Sequence, residues 1–304
     1  MFVSLAFWAA AQILPVVVPL GNPKQIEKPR APIEQSGPLF ASQCKDWDDY
    51  DKPAPPVRIF GNTYYVGTCG ISSILITDPA GDILIDGGTD KDPDLIAANI
   101  RKLGFQPTDV RYLLNSHEHF DHVGGLAQLQ SMTGAQLVTS PVGAHALSNG
   151  MPTAEDPLAG LKQGFPSARV DRVVSDGEQV RIGNTVLLAL LTPGHTPGAL
   201  TWHWGSCEGG VCRQIVYADS LTPVSDKTYR FSDHPMYLAA YRASIAKVAA
   251  LPCDILITPH PSASDMVNRF ALGKPLDDSN ACKNYAAKLT QQLDERLAKE
   301  ASGK

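Results

Sequence analysis

The stretch Asn115-Ser116-His117-Glu118-His119-Phe120-Asp121-His122-Val123-Gly124-Gly125 decides how this chain reads. Residues 117–122 hold three of the eight histidines in the 304-residue sequence, with Asp121 among them. Packing alone does not call for that concentration. An apolar run at Val110–Leu114 predicts a buried strand just before it. A helical pattern over 123–132 and a strand at Gln136–Thr139 follow. The order strand, motif, helix, strand sets the histidines on the loop at a strand's C-terminal edge, a favoured place for active sites in α/β layers.

Two further histidines sit in loops of similar make-up. His195 lies in Thr192-Pro193-Gly194-His195-Thr196-Pro197-Gly198, and His260 in Thr258-Pro259-His260-Pro261. Residues two apart on an extended segment point the same way, so His117 and His119 share a face. Asp121 and His122 come where the chain turns into the helix and point in different directions, which predicts two adjacent ligand sets. Imidazoles and a carboxylate converging from three loops fit a zinc site. The spacing is not that of His-Glu-x-x-His, because the fourth residue after His117 is Asp121. Glu118 is therefore read as solvent-exposed or as standing behind the ligands. His145, His203 and His234 are read as ordinary surface or strand histidines.

Composition narrows the class. With 43% apolar and 19% charged residues the chain is an ordinary globular protein. A net charge of −5, a pI near 5.9 and the lack of a basic stripe argue against a nucleic-acid partner. Residues 2–20 form an apolar run without charge, so residues 1–20 read as a secretory signal. Pro15 and Pro19 count against a retained membrane anchor. The even set Cys44, Cys69, Cys207, Cys212, Cys253 and Cys282 fits three disulfides in an oxidising compartment.

Residues 21–56, rich in Pro, Lys, Asp and Gln, predict a loosely ordered arm pinned near Cys44. Residues 57–304 predict one domain. A β meander covers 57–60, 63–66, 71–77 and 82–86, and a helix opens at Asp92 and Pro93 and closes at Gly104. Residues 149–167 read as a loop bordering the site. Strands resume at 169–174, 179–182, 185–191, 199–204 and 214–218. A helix over 235–250, a strand at 254–258 and a last helix from 278 complete the chain. Strands and helices thus recur in the same order twice. This predicts an α/β fold of two similar halves, a four-layer αββα sandwich with the site between the sheets.

With these motifs together, residues 44–300 resemble a class B metallo-β-lactamase of the third subclass, within the His-x-His-x-Asp-His metallo-hydrolase superfamily. The strings Tyr217-Ala218-Asp219-Ser220-Leu221-Thr222 and Cys253-Asp254-Ile255-Leu256-Ile257-Thr258-Pro259-His260-Pro261 carry the resemblance beyond the first motif. It implies two Zn²⁺ per chain, the first held by His117, His119 and His195, the second by Asp121, His122 and His260. Ser220 stands where other subclasses place a cysteine ligand, and Ser220 and Thr222 would meet the substrate carboxylate. The implied disulfides are Cys44–Cys69, Cys207–Cys212 and Cys253–Cys282. The implied activity is hydrolysis of the β-lactam amide of penicillins, cephalosporins and carbapenems by hydroxide generated at the metals, with Asp121 orienting the nucleophile or taking its proton. That would confer antibiotic resistance. Such an enzyme would be periplasmic and monomeric, without stable membrane association after signal removal. The alternative is a thioester hydrolase of the glyoxalase II kind or a lactonase, in which an aspartate near Asp219 bridges the metals. Ser244-Ile245-Ala246-Lys247 matches the Ser-x-x-Lys of serine β-lactamases but lacks its companion motifs and reads as chance.

Overall fold

Ile74 and Ile76 face one layer of apolar side chains while Leu75 between them faces another, and the computed structural model of the chain is built on that alternation. It describes residues 37–302. The predicted signal segment and residues 21–36 of the predicted arm lie outside the described residues.

In chain order the first half comprises α1 (Gly37–Gln43), β1 (Val57–Phe60), β2 (Thr63–Tyr65), β3 (Ile74–Ile76), β4 (Asp82–Ile85), α2 (Pro93–Lys102), β5 (Val110–Leu114), α3 (Phe120–Val123), α4 (Leu126–Thr133), β6 (Gln136–Thr139), α5 (Pro141–Asn149) and β7 (Arg172–Val173). The second comprises β8 (Gln179–Ile182), β9 (Thr185–Leu191), β10 (Leu200–Glu208), β11 (Val211–Tyr217), α6 (Pro235–Ala249), β12 (Ile255–Ile257), α7 (Met266–Ala271) and α8 (Ala281–Ala301). Strands β1 to β7 form one sheet in sequence order, antiparallel as far as β4 and parallel beyond it. The second sheet runs β12-β11-β10-β9-β8, antiparallel except for the parallel pair β11 and β12. Each half is thus a meander that turns parallel where a helix crosses over.

Three apolar clusters define the layers. Ile83, Ile85, Leu114, Trp202, Tyr217 and Ile257 belong to the cluster between the sheets. Leu84, Leu113 and Leu137 pack outward against Ile96 and Ile100 of α2 and Leu126 and Leu129 of α4. Val216 and Leu256 pack outward against Tyr241 and Ile245 of α6 and Leu289 and Leu293 of α8. Both faces of the central strands are covered, so those strands are apolar on both sides. This is the predicted αββα sandwich.

Four predicted details change. The arm is not loose from residue 37 onward: Phe40 of α1 is fully buried and packs edge-on to Tyr65 and Phe270, at 5.1 and 5.7 Å between ring centroids. One large aromatic and the Cys44–Cys69 bridge anchor a segment whose average composition is polar. The helix predicted over 123–132 breaks at Gly124-Gly125. A Cβ on Gly125 would lie 2.1 Å from the Gly87 carbonyl oxygen, so the backbones come too close for an uninterrupted helix of ordinary residues. Strands β10 and β11 run farther than predicted, into the hairpin closed by Cys207–Cys212. Helix α7 has no predicted counterpart.

The sheets are stitched together beneath the motif. Leu200 N–H donates to Ser116 O at 2.6 Å, Trp202 Nε1 to Asn115 O at 2.9 Å, and Ser72 N–H to Pro259 O at 2.8 Å. The loops after β5, β9, β11 and β12 therefore open on one edge of the sandwich.

Candidate metal centre

Among the described residues, two groups of side chains have donor atoms close enough to hold a metal ion: His117, His119 and His195, and Asp121, His122 and His260. They are the six residues singled out in the sequence. His145, His203 and His234 belong to neither group. The groups adjoin: the His117 and His122 rings are 4.1 Å apart between centroids, and the rings of the first group lie 4.7–4.9 Å from one another.

Each imidazole keeps one nitrogen near an oxygen and leaves the other for the centre. His119 Nε2 lies 3.2 Å from Asp156 Oδ2, His195 Nδ1 is 3.0 Å from both the carbonyl and hydroxyl oxygens of Thr222, and His260 Nδ1 is 3.1 Å from Gly70 O. His117 Nδ1 lies 2.9 Å from Asp219 Oδ1, out of line for a hydrogen bond, and 3.2 Å from Ser116 Oγ. His122 Nδ1 lies 3.5 Å from Asp86 Oδ2. Oxygens behind histidine ligands fix the ring and its tautomer. His117 Nε2 and His122 Nε2 are buried without a hydrogen-bond partner among the described residues. Orphaned buried nitrogens within a His-rich, carboxylate-containing set fit a bound cation.

The charges agree. Burial, reinforced by the neighbouring imidazoles, pushes His117 and His195 well below the usual histidine range. Burial and then His122 bring His260 down to about 4. At His122 burial opposes protonation, yet Asp121 and Asp86 outweigh it and lift the ring to about 10. Burial likewise opposes ionisation of Asp121, but His122 and His260 hold its carboxyl well below the usual carboxylate range. Asp121 Oδ2 and His122 Nε2 lie 3.2 Å apart.

Behind the ligands stand residues that the sequence left unassigned. Asp86, fully buried with a left-handed backbone at φ 62°, accepts from Ser116 N–H, Ser116 Oγ and Tyr217 OH at 2.6–2.7 Å. Of the two places read for Glu118, solvent-exposed or behind the ligands, it takes the second. It is fully buried and accepts from Thr196 Oγ1 at 2.6 Å and Gly198 N–H at 2.8 Å. Asp219 belongs to neither group, and its second oxygen accepts from Leu221 N–H at 3.2 Å. Neither Glu118 nor Asp156 stands at a ligand spacing, so only the proximity of their loops reveals them. All three predicted disulfides are present. Ser244 is buried and donates to Pro193 O, while the partly exposed Lys247 pairs with Asp176; neither belongs to the centre.

The ligands floor a cleft of about 380 Å³, within the range of small-molecule sites. Trp47, Tyr50 and Phe120 line it together with Leu158, Leu161 and Val224. Ser220 and Thr222 also reach it. Ser220 Oγ is buried and has no hydrogen-bond partner among the described residues.

The sequence pattern of the metallo-beta-lactamase superfamily matches residues 66–260, a span that contains all six ligands. The chain belongs to the metallo-beta-lactamase superfamily. Within it, this metallo-beta-lactamase fold is similar to the solved structure of the MIM-2 metallo-beta-lactamase, with 52% identity, 87% of this chain and 98% of that chain covered, and a TM-score of 0.84. It is also similar to MEM-A1, a subclass B3 metallo-beta-lactamase from a soil metagenome library, with 44% identity, 84% and 100% coverage and a TM-score of 0.81. Of the curated relatives, the hydroxyacylglutathione hydrolase of a Polaromonas species is 34% identical over 222 residues, 73% of this chain and 71% of that protein. The chain spans about half the length of two other curated relatives it matches.

Proposed function

We propose that this chain is a zinc-dependent β-lactamase of the third subclass of class B, hydrolysing the amide bond of penicillins, cephalosporins and carbapenems with two Zn²⁺ per chain. The observation that carries this reading is the similarity to MIM-2, which extends over 98% of that metallo-beta-lactamase at 52% identity. Zinc held by these six residues would supply an acidified water, with a pKa of about 7, and Lewis-acid charge for the lactam carbonyl and the leaving nitrogen.

The chain's own residues do the rest. Asp121 is ionised at neutral pH, and its Oδ2 lies 3.2 Å from His122 Nε2 and 3.7 Å from His260 Nε2. As a carboxylate it serves as a ligand and can orient the attacking water or take its proton. The Thr222 carbonyl and hydroxyl oxygens both accept from His195 Nδ1–H, which leaves the Thr222 hydroxyl proton free to point into the cleft. With the unpartnered Ser220 hydroxyl it offers two donors to the substrate carboxylate. Trp47, Tyr50 and Leu161 exclude water from an apolar side chain. That Asp219 stands against His117 supports a lactamase over a thioester hydrolase, whose corresponding aspartate would bridge the metals. Three disulfides support export to the periplasm, where we place the enzyme as a monomer. Among the described residues no helix is long and apolar enough to cross a membrane.

The test is turnover of a chromogenic cephalosporin and a carbapenem, with and without EDTA and clavulanate. Activity abolished by the chelator and untouched by clavulanate is the expected result, and Asp121→Ala should retain about one zinc per chain instead of two. Hydrolysis of thioesters or lactones with β-lactams left intact would overturn it.

A further inference from the structure

Two aspartates outside both ligand groups grip the same loop. Asp156 is almost fully buried; its Oδ2 lies 3.2 Å from Nε2 of the ligand His119, and its Oδ1 accepts from Leu158 N–H at 2.6 Å. Farther along, Asp226 Oδ2 accepts from Gly160 N–H at 3.0 Å, while Asp226 N–H donates to Pro157 O at 2.8 Å. Asp226 is itself held, because its Oδ1 accepts from Thr228 N–H, Thr228 Oγ1 and Tyr229 N–H at 2.6–3.0 Å. The approach is tight: a Cβ on Gly160 would lie 2.3 Å from Asp226 Oδ2. Leu158 and Leu161, on this loop, line the same cleft as Trp47 and Tyr50. Leu161 is 58% exposed and Val224, which also lines the cleft, 42%, so burial alone does not hold this wall in place.

We propose that Asp156 and Asp226 are positioning residues that fasten the 157–161 loop to the metal ligand His119 on one side and to the 222–229 loop on the other, coupling metal loading to the shape of the cleft's apolar wall. This rests on the proposed lactamase reading only for the chemistry of the side chain the wall receives. The physical basis is the His119–Asp156 contact. A cation on the opposite ring nitrogen makes Nε2–H a stronger donor, which tightens its hydrogen bond to Asp156 and steadies Leu158 behind it. Coupling of this kind is reciprocal, so loosening the loop at Asp156 weakens metal binding.

The experiment uses zinc alone as the probe and three readouts: amide hydrogen exchange across 153–163, zinc affinity by chelator competition, and KM and kcat for β-lactams with small and with bulky aromatic side chains. For the wild-type chain, adding EDTA should speed exchange at 157–161. Asp156→Ala should speed the same exchange and weaken zinc binding about 10- to 100-fold. Asp226→Ala and Gly160→Ala should each speed exchange about tenfold and raise KM for the bulky substrate at constant kcat, with a smaller loss of zinc affinity than in Asp156→Ala. Wild-type zinc affinity in Asp156→Ala, or wild-type exchange in both Asp226→Ala and Gly160→Ala, would overturn the proposal. If β-lactams are not turned over, the lactamase reading fails, and the exchange and zinc measurements still decide whether the two aspartates couple loop and metal.

Discussion

Glu118 lies in sequence between two ligands and works on a third. Its carboxylate, buried between Thr196 Oγ1 and Gly198 N–H, fixes the loop that presents His195. A Cβ on Gly198 would come within 2.6 Å of Gly143 N and 2.7 Å of Glu118 Oε1, so the two contacts together account for the glycine. Glu118→Ala leaves two buried donors without their acceptor, which costs about 1–3 kcal/mol, and should weaken ion binding at the His117, His119 and His195 group about tenfold. Glu118→Gln can still accept from Gly198 and donate to Thr196, so its zinc affinity by chelator competition should stay near wild type. A Gln variant as impaired as the Ala variant would show that charge, not loop geometry, is what matters there. The ligands themselves are legible in the sequence because metal binding demands particular residue types at short spacings. Glu118, Asp156 and Asp86 are not, because a carboxylate that holds a loop carries no spacing signature. Its partners come from wherever the fold brings them.

At the level of elements, the strands and long helices follow from apolar periodicity, since β3, β4 and β12 alternate between two buried faces. What the pattern does not foretell is set by single contacts. The glycine pair at 124–125 splits a helix where Gly87 presses against it, and Phe40 with the Cys44–Cys69 bridge draws α1 into the core. The C-terminal end of α8 shows how much one side chain can anchor. Glu300 accepts from Phe231 N–H at 3.0 Å, Ser232 N–H at 2.9 Å and Arg296 Nε at 2.8 Å, tying the loop before α6 to the last helix. Burial alone would raise its pKa, but the Ser232 and Arg296 donors outweigh that and lower it. A carboxyl whose folded pKa lies below its unfolded value contributes stability above the unfolded pKa of about 4.5 and loses it as pH falls through the folded value. Glu300→Gln should therefore lower the urea midpoint at pH 7, by about 1–3 kcal/mol of stability. The gap from wild type should close as the pH is taken from 4.5 toward 3. A gap independent of pH would show that the ionised form is not the one being stabilised.

For the whole molecule, the ligands come from both halves: His117, His119, Asp121 and His122 from the first, His195 and His260 from the second. The repeated strand and helix order makes that two-half arrangement legible from sequence; the stitching of Leu200 to Ser116 and Trp202 to Asn115 is not, because it runs through backbone groups. An ion that binds only the folded chain stabilises it by about 2.7 kcal/mol at a hundredfold excess over its Kd. Chelation should accordingly lower the thermal midpoint by about 5–10 °C in scanning calorimetry, with the disulfides intact. An unchanged midpoint would mean that the metal centre does not bear on folding.

The cleft has a hard floor and soft walls. Its floor is built on strand ends and buried carboxylates. Trp47, Leu161 and Val224, by contrast, stand 62%, 58% and 42% exposed on loops. Mutational drift meets these two parts differently: a replaced wall residue disturbs little packing, while a replaced floor residue disturbs the fold and the chemistry together. A lineage carrying this chain can therefore trade one range of substrates for another by exchanging a few exposed side chains, inheriting the reactive centre unchanged.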